Sequence, residues 1–188
     1  MNIVAVSDTH KLYENIQIPK GDIFIHAGDI DIYTFEDAKR FNVWMGTLPH
    51  KYKIVIGGNH DKWLAQNSRE TIKEVLFNVI YLENSGVTIK GVKFWGSPIT
   101  PTFMNWFFMA QRGVEIRHYW GEIPKDTNVL ITHGPPLNIL DEAPPMYGSH
   151  HAGCLDLLNR VKKIKPKIHI FGHIHYSNGL KIEDGTKF

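Results

Sequence analysis

Five short runs rich in aliphatic and β-branched residues each stop at a turn that carries a carboxylate, an imidazole or an amide. They lie at residues 2 to 6 (Asn-Ile-Val-Ala-Val), 22 to 26 (Asp-Ile-Phe-Ile-His), 52 to 56 (Tyr-Lys-Ile-Val-Ile), 128 to 132 (Asn-Val-Leu-Ile-Thr) and 167 to 171 (Lys-Ile-His-Ile-Phe). Each is too short for a helix, and near-continuous apolar runs of this length suit strands covered on both faces. Further strands are expected near residues 79 to 82, 86 to 90 and 92 to 96. Helical spacing appears at 35 to 47, 69 to 77, 111 to 120 and 152 to 164, with Phe35, Ala38, Phe41 and Met45 placed to form one apolar face. Alternating strands and amphipathic helices give an α/β protein. The closely spaced strands after residue 79 imply a second sheet rather than a simple doubly wound one. Without repeats, low-complexity tracts or a linker-like stretch, residues 1 to 188 read as one domain.

The strong runs end in specific residues: Asp8-Thr9-His10, Gly28-Asp29, Gly58-Asn59-His60-Asp61, His133-Gly134-Pro135-Pro136 and Gly172-His173-Ile174-His175. In open α/β sheets the site forms beyond the carboxyl ends of the strands, so these distant residues are expected to converge. Asp8 and His10, like His173 and His175, are two apart, which in extended backbone sends both side chains to one side. The glycines at 28, 58, 134 and 172 allow the backbone to turn sharply beside the candidate ligands. Carboxylate, imidazole and amide donors without a thiolate suit Mn, Fe, Zn, Co or Ni better than a structural zinc finger. If Asp29 bridges, the donors suffice for two ions, with positions left for water and substrate oxygens, the arrangement used for in-line attack on phosphorus. Each fragment alone has a plainer reading: Asp8 as a turn cap, Gly28-Asp29 as a common turn, Asn59-His60 as a loop, His133 as a strand end. The ordered set of five is what outweighs those readings.

Composition narrows the setting. With 21 basic and 19 acidic side chains the net charge is +2, which supplies no overall field for nucleic acid or an anionic membrane, although a local basic patch stays open. No run approaches the roughly 18 apolar residues of a membrane-spanning helix, and Asp8 and His10 interrupt any signal-peptide core. The lone Cys154 fits a reducing compartment, so a cytoplasmic location is expected. Eleven histidines are an excess that two metal ions would explain.

The ordered elements D-x-H, GD, GNHD, a later H and GHxH, from residue 8 to 175, resemble the calcineurin-like metallophosphoesterase superfamily. The resemblance implies a layered α-β-β-α sandwich of two mixed sheets flanked by helices, a dinuclear metal centre and hydrolysis of a small phosphate ester by a hydroxide that bridges the metals. Carried over by position, Asp8, His10, Asp29 and His175 would hold one ion, and Asp29, Asn59, His133 and His173 the other. His60 would contact phosphate and protonate the leaving oxygen, with Asp61 as a candidate for orienting its ring. His60 and Asp29 are thus the candidate catalytic residues, and Asn59 and His60 the candidate substrate contacts. Segments 96 to 101, 105 to 108, 112 to 113, 131 to 136 and 171 to 175 further resemble the metallophosphoesterase-domain-containing group. That group is similar to class III cyclic nucleotide phosphodiesterases, which act on phosphodiesters, usually with Mn; Fe, Zn, Ni, Co and Mg are the alternatives. One member type carries glycine at a site histidine, whereas this chain keeps His173 and His175. Related chains continue through another strand, so sheet closure near Phe188 is the feature the resemblance leaves unsupplied. A phosphomonoesterase, a nuclease and a non-catalytic metal-bound scaffold are the rival readings.

Lesser features have two readings each. Phe103, Trp106, Phe107 and Phe108 fit core packing or a dimer face better than stacking on a nucleobase. His150 and His151, beside the loop from Pro144 to Ser149, would border a pocket or simply be exposed. His26 fits a supporting contact to the metal carboxylates or a satisfied core histidine. The basic run from Arg160 to Lys167 fits a solvated helix end.

Overall fold

The computed structural model describes residues 1–144 and 150–188. Strands β1 (Ile3–Val6), β2 (Ile23–Ala27), β3 (Tyr52–Ile56) and β4 (Ile80–Tyr81) pair in that order, all parallel. The second sheet is built from β5 (Ser85–Ile89), β6 (Val92–Ser97), β9 (Val129–Thr132), β10 (Ile168–Ile170), β11 (Ile182–Glu183) and β12 (Thr186–Lys187). Its order is β11-β12-β10-β9-β6-β5, and it mixes parallel and antiparallel pairs. Between β6 and β9, the short strands β7 (Thr100–Pro101) and β8 (Met109–Ala110) pair with each other. The helices are α1 (Phe35–Thr47), α2 (Lys62–Gln66), α3 (Arg69–Val75), α4 (Val114–Glu122) and α5 (Leu155–Ile164). Among the described residues, no helix is long and apolar enough to cross a membrane.

Period-2 alternation in the central strands sorts their side chains into layers. Ile23, Ile25, Ala27, Ile54 and Ile56 face one way and meet Ile89, Phe94, Val129 and Ile131 of the second sheet, together with Leu82 just after β4. Phe24 and Val55 face the other way, onto Ala38, Phe41, Trp44 and Met45 of α1 and Ile72 of α3. Leu130 turns outward onto Ile116 and Trp120 of α4 and Leu157, Val161 and Ile164 of α5. Three buried layers, helix on sheet, sheet on sheet and sheet on helix, make this the α-β-β-α sandwich. Fully burying one such side chain contributes about 1.5–3 kcal/mol, so the seams hold the strand ends in fixed relation.

Local chemistry sets the element ends. Thr34 and Asp37 form a reciprocal capping box at the start of α1. Phe35 does not join the apolar face: it sits in the first turn, 48% exposed beside Trp63, and Trp44 takes the buried position. Helix α4 starts at residue 114 rather than 111 because Gly113 has φ 90°, outside the helical region. Helix α5 starts after Cys154, whose backbone is already bridged to Pro136 and whose Sγ accepts from Leu157 N. The chain's last residues form a hairpin turning at Asp184-Gly185, both with positive φ, and β12 pairs parallel with β10. An Asp-Gly pair at a two-residue turn is the sequence signal for that hairpin, and it extends the second sheet beyond the strands expected from the apolar runs.

Candidate metal centre

Every strong strand delivers its polar residues to the same end of the sandwich. Beyond β1 come Asp8 and His10, beyond β2 Asp29, beyond β3 Asn59 and His60, beyond β9 His133, and beyond β10 His173 and His175. Asp8, His10 and His175 place one ligand atom each within 4.8 Å of the others, and Asp29, His133 and His173 do the same next to them. His133 Nε2 also lies 3.0 Å from Asn59 Oδ1. The backbone here is not extended: Asp8 (φ 53°), His10 (φ 43°), Asp29 (φ 54°) and His173 (φ 73°) are all left-handed. Hence His173 and His175 fall in different groups instead of sharing one side. Such conformations cost a non-glycine residue of order 1–3 kcal/mol and persist only where the surroundings over-determine them.

Hydrogen bonds supply that determination. Asp8 N donates to Gly28 O at 2.9 Å and His10 N to Asp29 O at 3.1 Å, while Gly172 N donates to His133 O at 2.9 Å. His173 N donates to both Asp8 carboxylate oxygens, at 3.0 and 2.9 Å, and His60 N donates to Asp29 Oδ1 at 2.9 Å. The turns also approach so closely that a Cβ on Gly172 would stand 2.1 Å from Asp8 Oδ2, and one on Gly58 2.3 Å from Asp29 Oδ1. Glycine is the residue these two positions require.

Whether the donors fit divalent ions depends on their lone pairs. His133 Nδ1 donates to Ala27 O at 2.9 Å, so its Nε2 carries the lone pair and faces Asp29 Oδ1 at 3.2 Å. His10 Nδ1 donates to Asp31 Oδ1 at 3.0 Å, which turns its Nε2 toward His175 Nε2 at 3.3 Å. Bases facing bases are drawn together only with a proton or a cation between them, most strictly at the buried His133–Asp29 contact. Protein alone answers with protons. Burial opposes charge on His133, but the Asp29 carboxylate outweighs it and holds the ring up at about 9. Burial likewise opposes ionisation of Asp8 and Asp29. The His175 contact and the His133 charge nevertheless bring Asp8 down to about 2, and His133 holds Asp29 well below the usual carboxylate range. Two cations would fill the same electrostatic role, so the residues fit a dinuclear site. Asp31, holding His10 by its far nitrogen, is placed as the carboxylate of a carboxylate–histidine–metal arrangement would be, fixing the tautomer of His10.

His60 borders this centre, and its surroundings correct one expectation. Asp61 does not touch its ring. The Asp61 carboxylate is buried and accepts from the N–H groups of Ile30, Ile32 and Gly58, at 2.8 to 3.3 Å, so it ties the β2 turn to the β3 turn. Burial and the Asp29 charge raise it to about 7 against those donors. The groups at the His60 ring include Tyr33, whose hydroxyl is 3.1 Å from Nδ1, Asp31 at 3.6 Å, His10 edge-on at 5.1 Å, and Trp106 stacked at 4.1 Å. Sequence reading missed Asp31 and Tyr33, although both lie at even spacing after Asp29.

Beside the centre opens a cleft of about 500 Å³, lined by Asp29, Asn59, His60, His173 and His175 together with Phe103, Met104, Trp106, Arg112 and Tyr176. The aromatic stretch is therefore divided. Phe103 and Trp106 line the cleft, while Phe108 packs against the core clusters. His26 is a core histidine: its Nε2 meets Thr9 Oγ1 at 2.9 Å, and burial lowers it to about 3. It supports the β1 turn through Thr9 rather than through a carboxylate. Ala143, Pro144 and Ala152 form the cleft wall near His150 and His151, and the His151 ring turns to Asp141 at 2.9 Å. The remainder of that loop, residues 145–149, lies outside the described residues.

The sequence profile of the calcineurin-like phosphoesterase family matches residues 1–177. The chain belongs to that family. Among relatives of this family member, human and mouse metallophosphoesterase domain-containing protein 1 are each 40% identical over 207 residues, covering 97% of the chain. The chain spans 63% of the length of each. A solved structure of a phosphopantetheinyl hydrolase from Mycobacterium tuberculosis superimposes with a TM-score of 0.65 at 16% identity. It covers 100% of this chain and 87% of the other, a likeness of fold.

Proposed function

We propose that this phosphoesterase is a divalent-metal-dependent phosphodiesterase of small phosphodiesters such as cyclic nucleotides, located in the cytoplasm and working as one domain. The observation that carries it is the pair of adjacent ligand groups whose unshared electron pairs face one another. Asp8, His10 and His175 would hold one ion, His133, His173 and Asn59 the other, with Asp29 between them. When bound, two cations supply an acidified water as nucleophile and offset charge on the phosphoryl oxygens. Manganese suits the mixed oxygen and nitrogen donors; Fe, Zn, Ni, Co and Mg are the alternatives.

The chain's own residues do the rest. Asn59 and His60 face the phosphate from the cleft wall. As a proton donor the His60 ring carries N–H on both nitrogens: Nδ1–H donates to the Tyr33 hydroxyl oxygen 3.1 Å away, and the Nε2 proton is available to the departing oxygen. The apolar surface of Phe103, Met104 and Trp106 favours a substrate with a flat or apolar group beyond the phosphorus, which supports a diester over a bare monoester. The test is a panel of bis(4-nitrophenyl) phosphate, 4-nitrophenyl phosphate, 2′,3′- and 3′,5′-cyclic nucleotides and oligonucleotides, run with each metal on chelated, reconstituted protein. Preferred cleavage of small diesters is expected. Monoester or oligonucleotide preference would move the function to a phosphomonoesterase or nuclease, and inactivity with two bound ions to a binding scaffold.

A further inference from the structure

Trp106 lies nearly flat on His60, with ring centroids 4.1 Å apart and planes inclined at 30°. It arrives on the strap between β7 and β8, which is fastened along its length. Thr100 N donates to Phe108 O at 2.9 Å and Thr102 N to Ala110 O at 3.0 Å. Midway, Phe107 N donates to Asn59 O at 3.2 Å, so the strap is bonded to the residue next to His60 in sequence. The Phe108 ring edge stands 2.7 Å from where a Cβ on Gly57 would be, a fit possible only because position 57 has no side chain. Within the strap, Met104 (φ 56°) and Phe108 (φ 51°) take left-handed backbone, the kind of strain that survives where surrounding contacts fix it. Simple burial does not account for an indole held this way, since Trp106 remains 36% exposed.

We infer that Trp106 is a positioning residue for His60. Tyr33 fixes the ring at Nδ1 and Trp106 fixes its plane, so that the Nε2 proton points at the departing oxygen. This rests on the reading of His60 as proton donor. In the step served, the bond from phosphorus to the leaving oxygen breaks, and that oxygen keeps the electron pair and takes the Nε2 proton. Water supplies the oxygen that replaces it on phosphorus, and the proton that water sheds restores the ring.

The experiment uses the Mn-reconstituted protein and aryl phosphodiesters graded from 4-nitrophenolate, which departs without a proton, to unsubstituted phenolate, which needs one. Wild type, Trp106→Leu, Trp106→Phe and His60→Ala are compared, with metal content and melting temperature measured on each. Trp106→Leu is expected to lower kcat on the phenolate ester at least tenfold more than on the nitrophenolate ester, and Trp106→Phe to recover most of that difference. Equal losses on both esters, or no recovery by Phe, would overturn the inference. If His60→Ala itself shows no leaving-group bias, the proton-donor reading fails. If His60→Ala shows it and Trp106→Leu does not, only the role of Trp106 fails.

Discussion

His133 Nε2 stands 3.2 Å from Asp29 Oδ1 while its other ring nitrogen is committed to Ala27 O. Both residues are almost fully buried, so neither can turn to water for relief. A cation between them would take the place of the shared proton, and in the proposed centre Asp29 would serve both ions. Asp29→Ala should therefore reduce bound metal from two ions to one or none and lower kcat at least about 100-fold, since groups that act as a unit fail together. Elemental analysis after gel filtration checks it; two retained ions would count against a bridging role.

Asp31 stands one contact beyond the proposed ion sites. Its Oδ1 holds His10 Nδ1 at 3.0 Å and stands 3.6 Å from His60 Nδ1. Asp31→Asn keeps the shape but weakens the acceptor, and affinity for the ion at Asp8, His10 and His175 should fall about 10–100-fold. Competition against a metal-sensitive chelator measures this, and unchanged affinity would mean that packing alone orients His10.

The buried His169 gives the fold a pH signature. Burial lowers its pKa from 6.5 to about 3, with Nε2 at 2.8 Å from Thr132 Oγ1. A depressed base binds its proton in the unfolded chain first, so its contribution is intact above about pH 6.5 and is lost as pH falls toward 3. The loss is about 1.4 kcal/mol per pH unit for one ring. His26 acts in the same direction, whereas Asp61, raised to about 7, acts in the opposite one. The difference between wild type and His169→Gln isolates the His169 contribution. In urea titrations of chelated protein, the gap between them should narrow as pH drops from 6.5 to 4.5. A gap that stays constant would show that His169 is protonated in the folded state.

Much of the architecture is legible in the sequence because each central strand is a short apolar run closed by a turn, and α1 carries its own capping box at Thr34. The clustering of the candidate ligand residues is legible for the same reason: strand ends concentrate them. Pairings that depend on tertiary contact are not. Asp61 looks like the partner of His60 because it is the next residue, yet the turn sends its carboxylate to Ile30, Ile32 and Gly58. Tyr33 and Trp106, from distant segments, take that place. Left-handed backbone at His173 likewise cannot be inferred from residue type, and it is what separates His173 from His175. The closing hairpin at Asp184-Gly185 is signalled, but by two residues between strands too short to show alternation.

Diffraction from crystals of the manganese-loaded protein, recorded where manganese scatters anomalously, tests the dinuclear centre most directly. Two peaks about 3.5–4 Å apart are predicted, one among Asp8, His10 and His175 and the other among Asn59, His133 and His173, with Asp29 touching both. A lone peak, or a pair remote from Asp29, would contradict it.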